Sequence, residues 1–248
     1  MNILVCISNV PDTTSKINFQ NDNTAFDTNG VQFIINPNDE FGLTRAIWLQ
    51  QKNAATVTVV TVGDASCEPI LRKCLAIGAD KAVRINAEPT DGFAVAKELA
   101  AHCQATSYDV IFTGRESIDY NGGMVGGMLA TLLGIPYVAN CIHLDIEGKA
   151  AQVQREIDGG KESLRSDLPI ILGAQKGLVE ESELIIPNMR GIMQARQKPL
   201  EVVEGVQATA QTSIEQFEKP APKGAVKLVD AGDLDTLIEL LQNEAKVL

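Results

Sequence analysis

The stretch Gly114–Gly127, GRESIDYNGGMVGG, carries the strongest chemical signal in the chain. A strand-like run, Tyr108–Thr113, ends at Gly114. A polar loop follows, and Gly122, Gly123, Gly126 and Gly127 open a helix-like segment. Glycine lets backbone approach a ligand closely, and free N–H groups at a helix start attract phosphate. An anion fits against the amides of about 122–125, with Arg115 as a source of positive charge. The same glycines also suit close packing of a helix on a sheet, and both readings stand. Two further strand ends belong beside this one, because ligands of open parallel sheets bind beyond the carboxyl ends of the strands. They are Cys6–Asp12 (CISNVPD) and Asn36–Asp39 (NPND). Asp39, Glu40 and Asp119 have the carboxylates for acid–base work. The sequence gives none of them a partner group, so capping and hydrogen bonding are the preferred reading.

Other chemistries find little support. The five cysteines, Cys6, Cys67, Cys74, Cys103 and Cys141, are odd in number, form no C-x-x-C and sit mostly among aliphatic neighbours. They read as reduced, buried small residues. His102 and His143 are too isolated to suggest zinc. There is no G-x-G-x-x-G, no G-x-x-x-x-G-K-[ST] and no G-x-S-x-G. The 248 residues are 45% apolar and 21% charged, the balance of a globular protein with a substantial core. A net charge of −11 argues against nucleic acid and anionic membranes, which need clustered Lys and Arg. No apolar run reaches a membrane span, and MNILVCISNV lacks the basic n-region of a signal peptide, so the cytoplasm is expected. Arg190, Arg196 and Lys198 lie near exposed-looking Ile185, Ile186 and Met189. A solvated helix face and a docking segment both fit.

These residues need a scaffold of alternating strands and helices. Ile3–Val10 and Thr56–Val62 (TVTVVTV) read as buried strands, Asp80–Ile85 and Tyr108–Thr113 as two more. Helices are expected from Asn38 or Asp39, as N-cap, to about Lys52, and over 66–77, 91–104 and 124–133, with Gly78 and Gly134 as stops. Residues 16–35 read as a small inserted hairpin. This pattern indicates a mostly parallel α/β sheet. Val138–Ile146, Ala150–Ile157 and Leu168–Ala174 read as an antiparallel extension of it. Residues 199–229 are polar and proline-containing, too irregular for a compact domain, and are expected to lie along another protein. Ala231–Val247 reads as an amphipathic helix with Leu234, Leu237, Ile238 and Leu241 on one face. Trp48 is expected in the core.

The motifs CISNVPDT, NPNDE, LRKCLAIGAD, TGRESID, REIDGG and PNMRGIMQARQKPL occur in that order. Together they resemble the electron transfer flavoprotein β subunit family, over nearly the whole chain. The resemblance implies a Rossmann-like, adenine-nucleotide-α-hydrolase-like fold over 1–186. It also implies a partner recognition segment over 187–198, then an extended arm and terminal helix over 199–248 that pack on an α subunit. It implies a non-catalytic electron carrier holding a structural AMP, with FAD mainly in the α subunit. Electrons would pass from acyl-CoA or other dehydrogenases to a quinone oxidoreductase. Carried over by position, the nucleotide site comprises Cys6, Asn36, Pro37, Asn38, Asp39 and Val62. It continues through Gly114, Arg115, Glu116, Ser117, Ile118, Asp119, Tyr120, Asn121, Gly122, Gly123, Met124 and Val125. The recognition residues are Pro187, Asn188, Met189, Arg190, Gly191, Ile192 and Met193, with Met189 where the family has an anchoring leucine.

Two departures from the family pattern bear on the nucleotide. Members that bind a second FAD in place of AMP and bifurcate electrons typically read DGDTAQVGP after the aspartate, whereas Asp119–Gly127 here read DYNGGMVGG. Pro11-Asp12-Thr13 stands where AMP-binding members carry an IDY-type turn. A bifurcating subunit with a second FAD and a stand-alone nucleotide-binding stress-type protein remain as alternatives.

Overall fold

The computed structural model describes every residue except Lys223, which falls in the KPAPKG stretch; the side chain of Asn53 is also outside the described set. The first strand, β1 (Asn2–Cys6), runs centrally in a nine-stranded sheet. Its parallel neighbours are β6 (Thr56–Val62) on one side and β8 (Val110–Gly114) on the other. Beyond β6 comes β7 (Lys81–Asn86), and beyond β8 comes β12 (Ile170–Ala174), both parallel. The chain order therefore reverses at β1, which opens a crevice at the carboxyl ends of β1, β6 and β8. These central strands are apolar on both faces because helices cover both. Helices α1 (Pro37–Asn53) and α2 (Glu68–Ile77) pack one face around Ile3, Val5, Val57, Val59 and Phe112. Helices α3 (Gly92–Ala105) and α4 (Val125–Leu133) pack the other around Leu4, Val60, Ile85, Ile111 and Leu129.

The expected strand Ile3–Val10 is divided. Sheet pairing stops after Cys6, and Asn9–Pro11 (β2) pairs antiparallel with Phe33–Ile35 (β5) in a separate ribbon. The break falls where the Ser8 N–H turns to the Asp39 carboxylate at 2.7 Å. Between the ribbon strands, Asn18–Gln20 (β3) and Ala25–Asp27 (β4) form the inserted hairpin. The N-cap of α1 is Asn36, not Asn38 or Asp39. Pro37 occupies the first helical position, where its fixed φ and missing N–H cost nothing.

At the far side of the sheet, β12 is a parallel strand and not part of the antiparallel extension. Its five residues are all buried, as a central parallel strand requires. The antiparallel ladder consists of β9 (Tyr137–Glu147), β10 (Ala150–Ile157) and an unforeseen β11 (Gly160–Asp167). GKESLRSD has no apolar face because it forms the outer edge of the sheet. Trp48 is half-buried, with the Arg45 guanidinium 5.8 Å from its ring centroid.

The arm departs most from expectation. Leu200–Glu204 forms β13, which pairs parallel with β7 and completes the sheet. A short helix, α5 (Met189–Ala195), packs on α2 just before it. Two side chains brace this junction. Arg72 Nη1 donates to the carbonyls of Ala195 and Lys198, each at 2.8 Å. Lys198 Nζ donates to the carbonyls of Leu75 at 3.0 Å and Ala79 at 2.7 Å, at the negative end of α2. The expected C-terminal helix is short. It covers α6 (Leu234–Glu239) and one wide turn, Leu240–Glu244, with Leu234, Leu237 and Ile238 exposed. Among the described residues, no helix is long and apolar enough to cross a membrane.

Lys198→Ala removes a cation and its bonds from the α2 terminus. We expect a loss of about 1–3 kcal/mol, read as a lower urea midpoint with an unchanged m-value.

Candidate functional site

The carboxyl ends of β1, β6 and β8 frame a small, partly open cleft. One wall is apolar, from Val60 and Val62 on β6 and Val95 and Leu99 on α3. The other is polar, from Ser8, Thr113, Ser117 and the backbone of Gly122 and Gly123. Thr113 Oγ1 is buried without a hydrogen-bond partner. The Tyr137 phenol lies near enough to interact with it but not in bonding geometry. Helix α4 starts beside this polar wall, and no side chain caps its first turn. Its leading N–H groups and the Thr113 hydroxyl together form an end of the cleft that suits an anion.

The loop over the cleft is held from beneath. Asn36 is fully buried. It donates to the Glu116 carbonyl at 2.9 Å, donates to Asp39 at 3.0 Å and accepts from the Ile118 N–H at 3.2 Å. Asn38 donates to the same Glu116 carbonyl at 3.0 Å. Asp39, 2% exposed, accepts the Ser8 N–H and lies against the Gly114 backbone, where any Cβ would collide with it. Burial pushes its carboxyl up to about 7. Hydrogen bonds from Ser8, Asn36 and Gly114 oppose that rise. The buried thiol of Cys6, at the cleft floor, is likewise raised well above its ordinary value, chiefly by desolvation.

A family model described as "Electron transfer flavoprotein domain" matches residues 23–208. The chain is 35% identical to the electron transfer flavoprotein subunit beta of Bacillus subtilis, each covered over its full length. It is 33% identical to that of Bradyrhizobium diazoefficiens, again over the whole of both chains. It is 32% identical to the human protein of that name over 94% of this chain and 95% of the other. The chain belongs to the electron transfer flavoprotein family. The mixed sheet, parallel at its centre with an antiparallel edge, is consistent with the Rossmann-like fold expected for it.

Of the residues assigned by family resemblance, Cys6, Asp39, Val62, Gly114, Glu116, Ser117, Gly122, Gly123 and Val125 line the cleft. Asn36 and Asn38 act through the loop instead, and Pro37 starts α1. Arg115 does not face the cleft. Its guanidinium pairs with Glu116 at 2.6 Å and reaches Gln175 at 3.4 Å. Ile118, Asp119 and Tyr120 lie on the outer side of the loop, lining a second hollow with Phe19, Phe26 and Phe217. Asn121 takes φ +49° at the loop tip, and Met124 covers Gly92 at the start of α3. Ser8, from the Cys6–Asp12 strand end, also lines the cleft; Thr61, Val95, Leu99 and Thr113 do so and were not foreseen. Thr113 was within reach of the sequence, as the last side chain before the Gly114 strand end. Val95 and Leu99 lie inside the helix expected over 91–104, where helical spacing alone does not distinguish a cleft-facing residue from a core one.

The segment 187–193 contributes nothing to the cleft. It sits with α5 on the α2 side, with Met189 75% and Met193 67% exposed. The run ending at Lys198 divides accordingly: Arg190 and Arg196 are exposed, while Lys198 caps α2.

The glycines also divide. A Cβ on Gly126 would stand 2.7 Å from both Thr113 Oγ1 and the Tyr137 ring, so Gly126 serves helix–sheet packing. Gly123 lines the cleft, and its Cβ would meet the Arg115 carbonyl at 3.2 Å. Gly126→Val should lower stability by about 1–3 kcal/mol by overpacking. Gly123→Val should leave the thermal midpoint closer to wild type and reduce ligand retention; the pair is compared by thermal melts and bound-ligand content.

Asp39 gives a pH test. Its folded pKa is raised, so its contribution is fully present below the unfolded value near 4 and is lost as pH rises through about 7. Urea titrations from pH 4 to 8 should show wild type losing stability relative to Asp39→Asn as pH rises, at up to about 1.4 kcal/mol per pH unit.

Proposed function

We propose that the chain is the β subunit of a heterodimeric electron transfer flavoprotein and that its cleft holds AMP. The observation that carries the nucleotide reading is the composition of the cleft. An apolar wall of Val60, Val62, Val95 and Leu99 suits an adenine ring. The opposite end offers an unpaired Thr113 hydroxyl and the uncapped start of α4 to a phosphate. Cys6 and Val62 belong in such a site without polar side chains, because backbone groups and apolar contact do the holding.

The paired α subunit would hold most of the FAD, which supplies one-electron chemistry when bound. This chain's residues would bind, orient and dock. No acid–base or nucleophilic pair is needed. Of the carboxylates lining the cleft, Asp39 is already committed to Ser8 and Asn36, and Glu116 to Arg115. Exposed Met189 and Met193, with Ile186 at 82% exposure and the cations Arg190 and Arg196 beside them, suit a docking surface for acyl-CoA or other dehydrogenases. A quinone oxidoreductase would take the electrons onward, in the cytoplasm. The exposed apolar residues Leu228, Leu234, Leu237 and Ile238 would find their cover on the α subunit.

Co-expression with an α-type subunit tests this reading. The expected result is a heterodimer from which denaturation releases one FAD and one AMP, counted by chromatography. Two FAD would replace AMP by a second flavin and favour the bifurcating alternative. A chain that purifies alone, without α, would overturn the subunit assignment.

A further inference from the structure

After β13 the chain does not leave the domain. The Gly205 N–H extends the ladder to the Asn86 carbonyl at 3.3 Å. Gln207 then takes φ +55°, a turn that directs two amides at one side chain. Val206 N–H donates to Glu98 Oε2 at 2.7 Å and Ala208 N–H to Oε1 at 2.8 Å. Glu98 is 2% exposed, so its carboxylate is buried under the segment it binds. Farther along, Gln211 and Thr212 donate their N–H groups to Asp91 Oδ2 at 2.6 and 2.9 Å. The segment ends on the inserted hairpin. There the Phe217 ring stacks on Phe19, centroids 4.7 Å apart, and the Phe217 N–H meets the Asn23 carbonyl at 2.7 Å. Residues 205–217 thus form a strap along the end of the sheet where the cleft opens.

Both carboxylates that hold the strap belong to the α3 wall of that cleft. Asp91 is the N-cap of α3, its other oxygen accepting the Ala94 N–H at 2.7 Å. Asp91, Val95, Glu98 and Leu99 fall on adjoining faces of the helix at its three- and four-residue spacing. Val95 and Leu99 line the cleft, while Asp91 and Glu98 bind the strap. Gly92, next to Asp91, lies under Met124, the N-cap of α4 and the start of the anion end. The strap, α3 and the glycine cradle are therefore one contiguous set of contacts.

We infer that docking of the 205–217 strap is coupled to occupancy of the cleft, with Asp91 and Glu98 as positioning residues. A ligand that fixes Val95, Leu99 and the α4 start also fixes the two carboxylates that the strap needs. A docked strap in turn holds α3 in its ligand-binding place. Coupling of this kind is reciprocal: the factor by which ligand tightens the strap equals the factor by which the strap tightens the ligand. The inference rests on the reading of the cleft as a nucleotide site, with AMP as the probe.

Two variants loosen the strap without touching the cleft. Gly205→Val places a Cβ 2.6 Å from Glu98 Oε2 and 2.7 Å from the Ala87 Cβ, which lifts the strap. Glu98→Gln replaces one of the two acceptor oxygens with a donor. The full chain, purified with whatever subunit accompanies it and dialysed free of nucleotide, is titrated with AMP by calorimetry. Hydrogen exchange of the Val206, Ala208, Gln211 and Thr212 amides is followed with and without AMP. We expect AMP to slow that exchange by about tenfold and each variant to weaken AMP binding by about the same factor, within the usual range of coupling. AMP binding that leaves strap exchange unchanged overturns the coupling and leaves the nucleotide site standing, whether or not the variants bind AMP normally. Wild-type chain that fails to bind AMP overturns the nucleotide reading and this inference together.

Discussion

Much of the architecture around the cleft depends on one buried carboxylate and the asparagine beside it. Asp39 takes the Ser8 N–H just after β1 and presses on Gly114 at the end of β8. Asn36 fastens the loop that follows β8 through Glu116 and Ile118. Three segments far apart in sequence are thereby fixed at the point where the strand order reverses. A buried carboxylate needs hydrogen bonds to offset its desolvation, and here the donors it uses are also the joints of the cleft. The same contact diverts the chain out of the sheet after β1 and so permits the inserted ribbon and hairpin. Asn36 and Asn38, which the family resemblance places in the nucleotide site, are in this fold part of the frame around the cleft.

The cleft and the exposed methionines fall on different parts of the molecule. The apolar lining of the cleft gathers on the α3 and α4 side of the sheet, around Leu99 and Val125. The exposed methionines sit with α5 on the α2 side, braced by Arg72 and Lys198. The cation that looked available in an acidic chain proves to be partly structural, because Lys198 serves carbonyls at a helix end. Arg115 is similarly committed to Glu116.

The parallel core was legible because buried strands announce themselves as β-branched runs such as TVTVVTV and because Gly78 and Gly134 mark helix ends. The sheet margins were less legible. LEVVE and GKESLRSD form edge strands, and an edge strand lacks the apolar alternation that makes an inner strand readable. Leu168–Ala174 was read as extended, but pairing direction is a property of the whole sheet and no local signal carries it. The cleft was legible at Gly114 and Gly122–Gly123, where strand end and glycine run coincide. Val95 and Leu99 were not, since a helical residue facing a cleft and one facing a core share the same periodicity.

The position of β13 also bears on how the protein is made. It joins the edge of the sheet beside β7, yet it is separated from β7 by more than a hundred residues of chain. During synthesis, β7 and its neighbours emerge and pair long before Leu200 leaves the ribosome. Throughout that interval β7 presents a free row of backbone donors and acceptors, the geometry most open to pairing with another chain. The last strand to be translated is thus a guard for one of the first. A nascent chain halted before residue 204 would carry a nearly complete domain with an unprotected edge.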